Sequence, residues 1–115
     1  MTHAIDLEGL LPLSPTVFYV LAAMTSGPRH GYSIASEVEE LTDGRIVMGP
    51  GTLYGSLQRM VASGLIEETD NPGEAGLHAE RRRYYRMTTL GGEALRDESA
   101  RLLRAVSVVQ ERLGT

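Results

Sequence analysis

Towards its end this chain carries a heptad seam: Leu95, Ser99, Leu102, Val106, Val109 and Leu113 are spaced 4, 3, 4, 3 and 4 residues apart, with serine as the polar break. The repeat predicts one α-helix from Thr88 or Thr89 to about Leu113, roughly 39 Å long at 1.5 Å per residue. The sequence has 115 residues, one domain's worth, and a compact domain of that size has a radius of gyration of only about 13 Å. The helix must therefore project beyond its own domain, and its apolar residues need a partner. Self-association through Leu95, Leu102, Val106, Val109 and Leu113 is the preferred reading, over a surface helix packed on its own chain. Asp97 and Arg101 form an i,i+4 pair on the outer face.

Upstream, the pattern resolves into short elements. Ile5, Leu7, Leu10, Leu11 and Leu13 belong to a lead-in, residues 1–13, able to dock on a core. Ser14-Pro15 is a helix start, a side-chain acceptor followed by proline in the first turn, and Gly27-Pro28 is the stop. A second helix fits Gly31–Thr42 with Ile34, Ala35, Val38 and Leu41 facing inward, and Ile46-Val47-Met48 reads as a very short strand. A third helix runs from about Pro50 to Ser63, buries Leu53, Leu57, Met60 and Val61, and ends on Gly64 as a left-handed cap. Two strands follow, Leu65–Thr69 and Arg82–Met87, joined by the turn-rich Asp70-Asn71-Pro72-Gly73 stretch as a hairpin. The expected fold is thus mainly α with a small β-hairpin: a winged helix-turn-helix over residues 1–87, then a dimerisation helix over 88–115.

In such an architecture the third helix enters a DNA major groove and the hairpin lies along the backbone. The face of that helix opposite its leucine stripe carries Gly51, Thr52, Gly55, Ser56 and Arg59. Small residues admit DNA close to the helix axis, hydroxyls suit phosphates or base edges, and Arg59 can reach guanine or phosphate. Tyr54 borders the stripe, either as a phosphate contact or as a half-buried core residue. The net charge of −4 opposes nucleic-acid binding only if it is evenly spread, and it is not. Residues 1–44 hold one Arg against six acids, and 67–80 hold five acids and no base, whereas Arg81, Arg82, Arg83 and Arg86 fall within six positions. Every base is Arg, whose guanidinium suits bidentate phosphate and guanine contacts. By strand alternation Arg82, Tyr84 and Arg86 share one face, and Arg83, Tyr85 and Met87 the other. With Met87 inward, Arg82 is a solvent-facing phosphate candidate beside Arg81; salt bridges to the hairpin glutamates are the competing use of this run.

Four stretches in order resemble the PadR family of transcriptional regulators. They are Leu13-Ser14-Pro15 with Phe18, Leu21 and Gly27 to Tyr32; Gly49-Pro50-Gly51-Thr52-Leu53-Tyr54-Gly55-Ser56-Leu57; Gly64-Leu65-Ile66; and Arg82 to Thr88 with Leu90-Gly91. The resemblance spans roughly residues 13–95. It implies a homodimeric winged-helix repressor of the small type, with one long C-terminal helix, on a dyad-symmetric operator of double-stranded DNA. It places Thr52, Tyr54 and Ser56 at the DNA and Tyr32 on the backbone side, where a core tyrosine is the alternative. Two features depart from it. The wing is acidic (Glu67, Glu68, Asp70, Glu74, Glu80). The aromatic pocket with which some relatives hold flat drugs at the dimer interface has no counterpart, since the last helix lacks aromatics and Phe18 and Tyr19 read as core. A small-molecule effector therefore has no visible site.

Other functions find little in the sequence. Without cysteine, disulfides, thiolate metal sites and cysteine nucleophiles are excluded. His3, His30 and His78 show no metal-ligand spacing, no serine lies in a Gly-x-Ser-x-Gly frame, and a chain without lysine has no Walker A loop. No enzyme, metal or cofactor is expected. No run approaches the ~20 apolar residues of a membrane span, and no secretory signal opens the chain, so the cytoplasm is the expected location. The rival to a DNA-binding regulator is a winged helix serving protein interaction or ligand sensing without tight DNA binding.

Overall fold

The computed structural model describes Leu7, residues 9–70 and residues 83–114. Its elements run α1 (Pro15–Ala23), β1 (Arg29–His30), α2 (Gly31–Leu41), α3 (Pro50–Ala62), β2 (Ile66–Thr69), β3 (Tyr84–Met87) and α4 (Thr89–Leu113). The strands form one antiparallel sheet in the order β1-β3-β2. This is a winged helix with a long C-terminal helix.

Local chemistry sets each helix start. The Ser14 Oγ accepts the Val17 N–H at 3.2 Å, with Pro15 in the first turn of α1, an arrangement worth about 1 kcal/mol. His30 does the same for α2, its Nδ1 accepting the Ser33 N–H at 3.3 Å. Thr88 caps α4 by accepting the Gly91 N–H at 3.0 Å, and its hydroxyl donates to the Gly64 carbonyl at 2.5 Å, with the Leu65 carbonyl 3.0 Å away. One threonine thus starts the last helix and fastens it to the hairpin. Gly91 lets the two meet: a Cβ there would collide with the Leu65 carbonyl oxygen and lie 2.9 Å from the Met87 side chain.

The core gathers Val20 and Leu21 of α1, Ile34 and Val38 of α2, Leu53, Leu57 and Met60 of α3, and Ile66 and Tyr85 of the sheet. Leu13 joins it, and Leu7, Leu10 and Leu11 pack partly buried against it, so these residues of the lead-in dock as expected, Ile5 lying outside the described residues. Phe18 and Tyr19 also pack on the core, edge to face at 5.6 Å. From α4 come Leu90, Gly91, Ala94 and Glu98. Glu98 is a buried acid: its Oε1 accepts the Leu13 N–H at 3.2 Å and pairs with Arg101 one turn on.

Three expectations are corrected. Ile46-Val47-Met48 is not a strand; Met48 is buried and Val47 exposed, and among the described residues they have no sheet partner. The third strand is instead Arg29–His30, pairing with Tyr85 and Tyr84 of β3; two residues are too short to show a period of two. Leu41 and Val61 are exposed rather than inward, because each sits at the end of its helix where the core has already curved away. Leu95, placed in the seam by its spacing, packs against the protein's own core. Beyond Arg101 every residue of α4 through Leu113 is exposed. The projecting helix raises the radius of gyration to 15.6 Å, against about 13 Å for a compact chain of this length.

Candidate nucleic-acid interface

Helix α3 turns Leu53, Leu57 and Met60 into the core and leaves Gly51, Thr52, Gln58, Arg59 and Ala62 exposed. At 100° per residue, Gly51, Gly55, Gln58 and Ala62 form the line opposite the buried stripe, with Thr52 and Arg59 along one flank and Tyr54 along the other. Among the described residues nothing lies within 4 Å of a Cβ built on Gly51, and over Gly55 only the Arg59 guanidinium, 3.5 Å from where a Cβ would be. The first turns of the helix are therefore bare backbone with polar side chains on both flanks, a surface that a groove can close upon. Gln58 escaped the sequence reading. The signal was its spacing, three residues after Gly55 and seven after Gly51, together with a side-chain amide able to bond adenine in two places.

Ser56 is not on this face. It is 7% exposed, and its Oγ accepts from Arg59 Nη2 at 3.3 Å. Leu10, Leu13, Ser14, Thr16 and Val17 stand across a cleft from the flank that a helical wheel leaves open. Tyr32 is settled in the other direction. At 62% exposure it is a surface tyrosine, because Ile34 and Val38 turn α2 inward on the opposite side.

Tyr54 rests over Gly31, where a Cβ would come within 2.7 Å of its hydroxyl oxygen. Its ring meets Tyr32 edge to face at 6.5 Å, Tyr32 meets His30 at 6.5 Å, and His30 meets Tyr84 at 5.5 Å. A row of four rings thus runs from α3 past the start of α2 to β3. Burial, with Tyr32 adding to it, holds the Tyr54 phenol above its ordinary pKa against the pull of Arg83. At neutral pH it is an O–H donor.

The acidic hairpin is compensated where it is described. Glu67 lies opposite Arg86 and bonds it at 2.6 Å, and Glu68 pairs with Arg83 at 3.5 Å. These cross-strand pairs are half-exposed, worth well under about 1 kcal/mol each, and easily traded for a phosphate. Tyr85 is buried and Arg86 exposed, as the alternation requires. Arg81 and Arg82 lie outside the described residues. Among the described residues no group of three or more His, Asp and Glu side chains could hold a metal ion, and no helix is long and apolar enough to cross a membrane.

The family model of the transcriptional regulator PadR-like family matches residues 20–97, which takes in α2, α3, the hairpin and the start of α4. The chain belongs to the PadR-like family. A PadR-like transcriptional regulator from Bacillus cereus is 23% identical and superimposes with a TM-score of 0.69, covering 95% of this chain and 96% of that one. A PadR family transcription regulator from Clostridium difficile is 21% identical with a TM-score of 0.66, covering 89% and 100%. Bacillus subtilis PadR, solved in complex with operator DNA, is 22% identical with a TM-score of 0.61, covering 75% of this chain and 46% of that one. In sequence, a 37.1 kDa protein of transposon TN4556 from Streptomyces fradiae is 35% identical over 85 residues; they are 74% of this chain and 22% of that protein.

Proposed function

We propose that this PadR-like regulator binds double-stranded DNA as a homodimer and represses transcription from a dyad-symmetric operator. The observation that carries this reading is the exposed line of α3, where bare backbone at Gly51 and Gly55 lies between Thr52 and Arg59 on one side and Tyr54 on the other. On this reading Gly51, Gly55, Gln58 and Arg59 face the bases and Thr52 a phosphate. Tyr54, Tyr32 and Arg83 follow the backbone towards the wing, with Arg81 and Arg82 assigned there from the sequence. Ser56 acts by positioning Arg59. The solved complex of Bacillus subtilis PadR with operator DNA supports DNA as the partner.

The second copy is assigned to the end of α4. Leu102, Val106, Val109 and Leu113 keep the heptad spacing, and all are exposed. Twelve residues of unsupported helix are marginal in water, so a partner helix is the physical requirement. Residues 1–87 then form the DNA-binding unit and 88–115 the dimerising one, the latter rooted in the core as far as Glu98. Half-sites are expected about one helical turn, ~34 Å, apart.

Fluorescence anisotropy tests the proposal, with duplex DNA from immediately upstream of the coding region set against a scrambled duplex. Selective binding is expected to weaken with salt at a log–log slope of about −0.9 per phosphate neutralised. Equal, salt-insensitive behaviour of both duplexes would sink the DNA reading and favour a protein-interaction module.

A further inference from the structure

His30 sits in the middle of the row of rings, between Tyr32 and Tyr84. It ends β1, stands just before the first residue of α2, and is half-buried. Its Nδ1 accepts the Ser33 N–H at 3.3 Å as the cap of α2, and its Nε2 lies 2.9 Å from the Ser33 hydroxyl oxygen. An imidazole nitrogen accepts only while it carries no proton, so this cap exists in the neutral ring alone, with the proton on Nε2. What the cap holds in place is the tyrosine flank of α3. Gly31 follows His30 and has the Tyr54 ring lying over its bare Cα; Tyr32 follows Gly31 and meets both Tyr54 and His30 edge to face. On the other side, His30 pairs with Tyr84 across the sheet. The charged groups flanking the row are Arg29, which binds Glu37 of α2 and the Ala23 carbonyl of α1, and Arg83, which pulls on the Tyr54 phenol and binds Glu68 of β2. Both of these carboxylates already hold a guanidinium, and the start of a helix is the positive end of its dipole.

We propose that His30 is a positioning residue for the DNA-facing tyrosines Tyr32 and Tyr54, and that protonation of its imidazole releases them. The inference rests on the DNA-binding reading above and adds to it a dependence on pH. A protonated Nδ1 points an N–H at the Ser33 N–H, donor against donor, and sets a full positive charge at the positive end of α2. The first turn of α2 then loses its cap, Gly31 shifts beneath Tyr54, and the two tyrosines leave the places from which they meet phosphates. The sign follows from the cap. It is complete where the imidazole is neutral and is lost as the imidazole protonates, so operator affinity falls as the pH falls. This is opposite to the effect of a histidine that touches a phosphate, whose positive form binds more tightly.

Two variants separate the cap from the ring. His30→Asn keeps a strong helix-start acceptor that does not titrate, and His30→Ala keeps none. Each full chain is titrated with the upstream duplex at constant salt, at about pH 7.5 and about pH 5.5, on either side of the ordinary histidine range. The wild-type chain is expected to bind about fivefold more weakly at the lower pH, the factor that one helix cap is worth. His30→Asn is expected to bind at both pH values as the wild type does at the higher one, and His30→Ala at both as the wild type does at the lower. In the ¹⁵N-labelled chain without DNA, the Gly31, Ser33 and Tyr54 amides are expected to shift together between the two pH values, and in His30→Asn to stay in place. Wild-type affinity that rises in acid would make the imidazole a phosphate contact and overturn the proposal. His30→Asn binding as weakly as His30→Ala would overturn it too, by giving the role to the ring, and so would equal pH dependence in His30→Asn and the wild type. A Tyr54 amide that stays still while Ser33 shifts would leave a cap that positions nothing. The expected amide shifts in a chain that binds no DNA keep the link from His30 to Tyr54 and remove the DNA reading instead.

Discussion

Arg59 folds its guanidinium back over Gly55 onto the Ser56 hydroxyl, a direction available because the residue one turn earlier has no side chain. This pre-positions it on the flank of α3 at little cost in rotamer entropy, and Ser56 is buried in order to do so. Arg59→Ala is expected to weaken operator binding about 10- to 100-fold, the span of a lost guanine or phosphate contact, with the circular dichroism spectrum unchanged. Gln58→Ala is expected to leave affinity for a randomised duplex unaltered and to relax preference at one base pair per half-site, read from competition with singly substituted operators. The sequence displayed Gly51, Thr52, Gly55 and Arg59 on one face because helical periodicity needs no knowledge of neighbours. It misplaced Ser56 for the same reason: periodicity cannot see the lead-in that stands across from that flank.

At the level of elements, two junctions hold the rest of the winged helix to the long helix. The first is Thr88 and Gly91 on the hairpin. Gly91→Ala drives a methyl into the Leu65 carbonyl and the Met87 side chain, and because one contact is rigid backbone the cost is expected at about 3 kcal/mol, the upper end for overpacking, measured by urea denaturation. The second is Glu98 on the Leu13 N–H. Glu98→Ala orphans that buried donor and is expected to cost about 2 kcal/mol, whereas Glu98→Gln keeps an acceptor and loses less; equal losses would show that the hydrogen bond is not what matters there. Helix boundaries were legible from Ser14-Pro15, Gly64 and Thr88, since capping is a local matter of one side chain and a few N–H groups. The strand at Arg29–His30 was not, because two residues become a strand only when Tyr84 and Tyr85, more than fifty positions away, arrive beside them.

On the scale of the whole molecule, the projecting half of α4 ties architecture to assembly. Val106→Glu places a charge in the middle of the exposed seam and is expected to convert dimers to monomers in sedimentation velocity, since a buried unpaired charge costs several kcal/mol. The monomer should keep its winged-helix fold and lose most of its operator affinity, because two half-sites no longer bind as one. The projection was already dictated by the sequence: a heptad run of that length outgrows a core built from 115 residues, whatever the remaining contacts. The identities of the helices, their caps and the bare face of α3 are local properties, written in spacing and side-chain type. The tertiary structure alone decided where along α4 the core ends and the free seam begins, between Glu98 and Leu102, and that Leu95 belongs to the former. It alone buried Ser56, joined four aromatic rings from α3 to β3, and opened the cleft beside Arg59. These depend on which distant segments share a volume, and no periodicity within one segment carries that information.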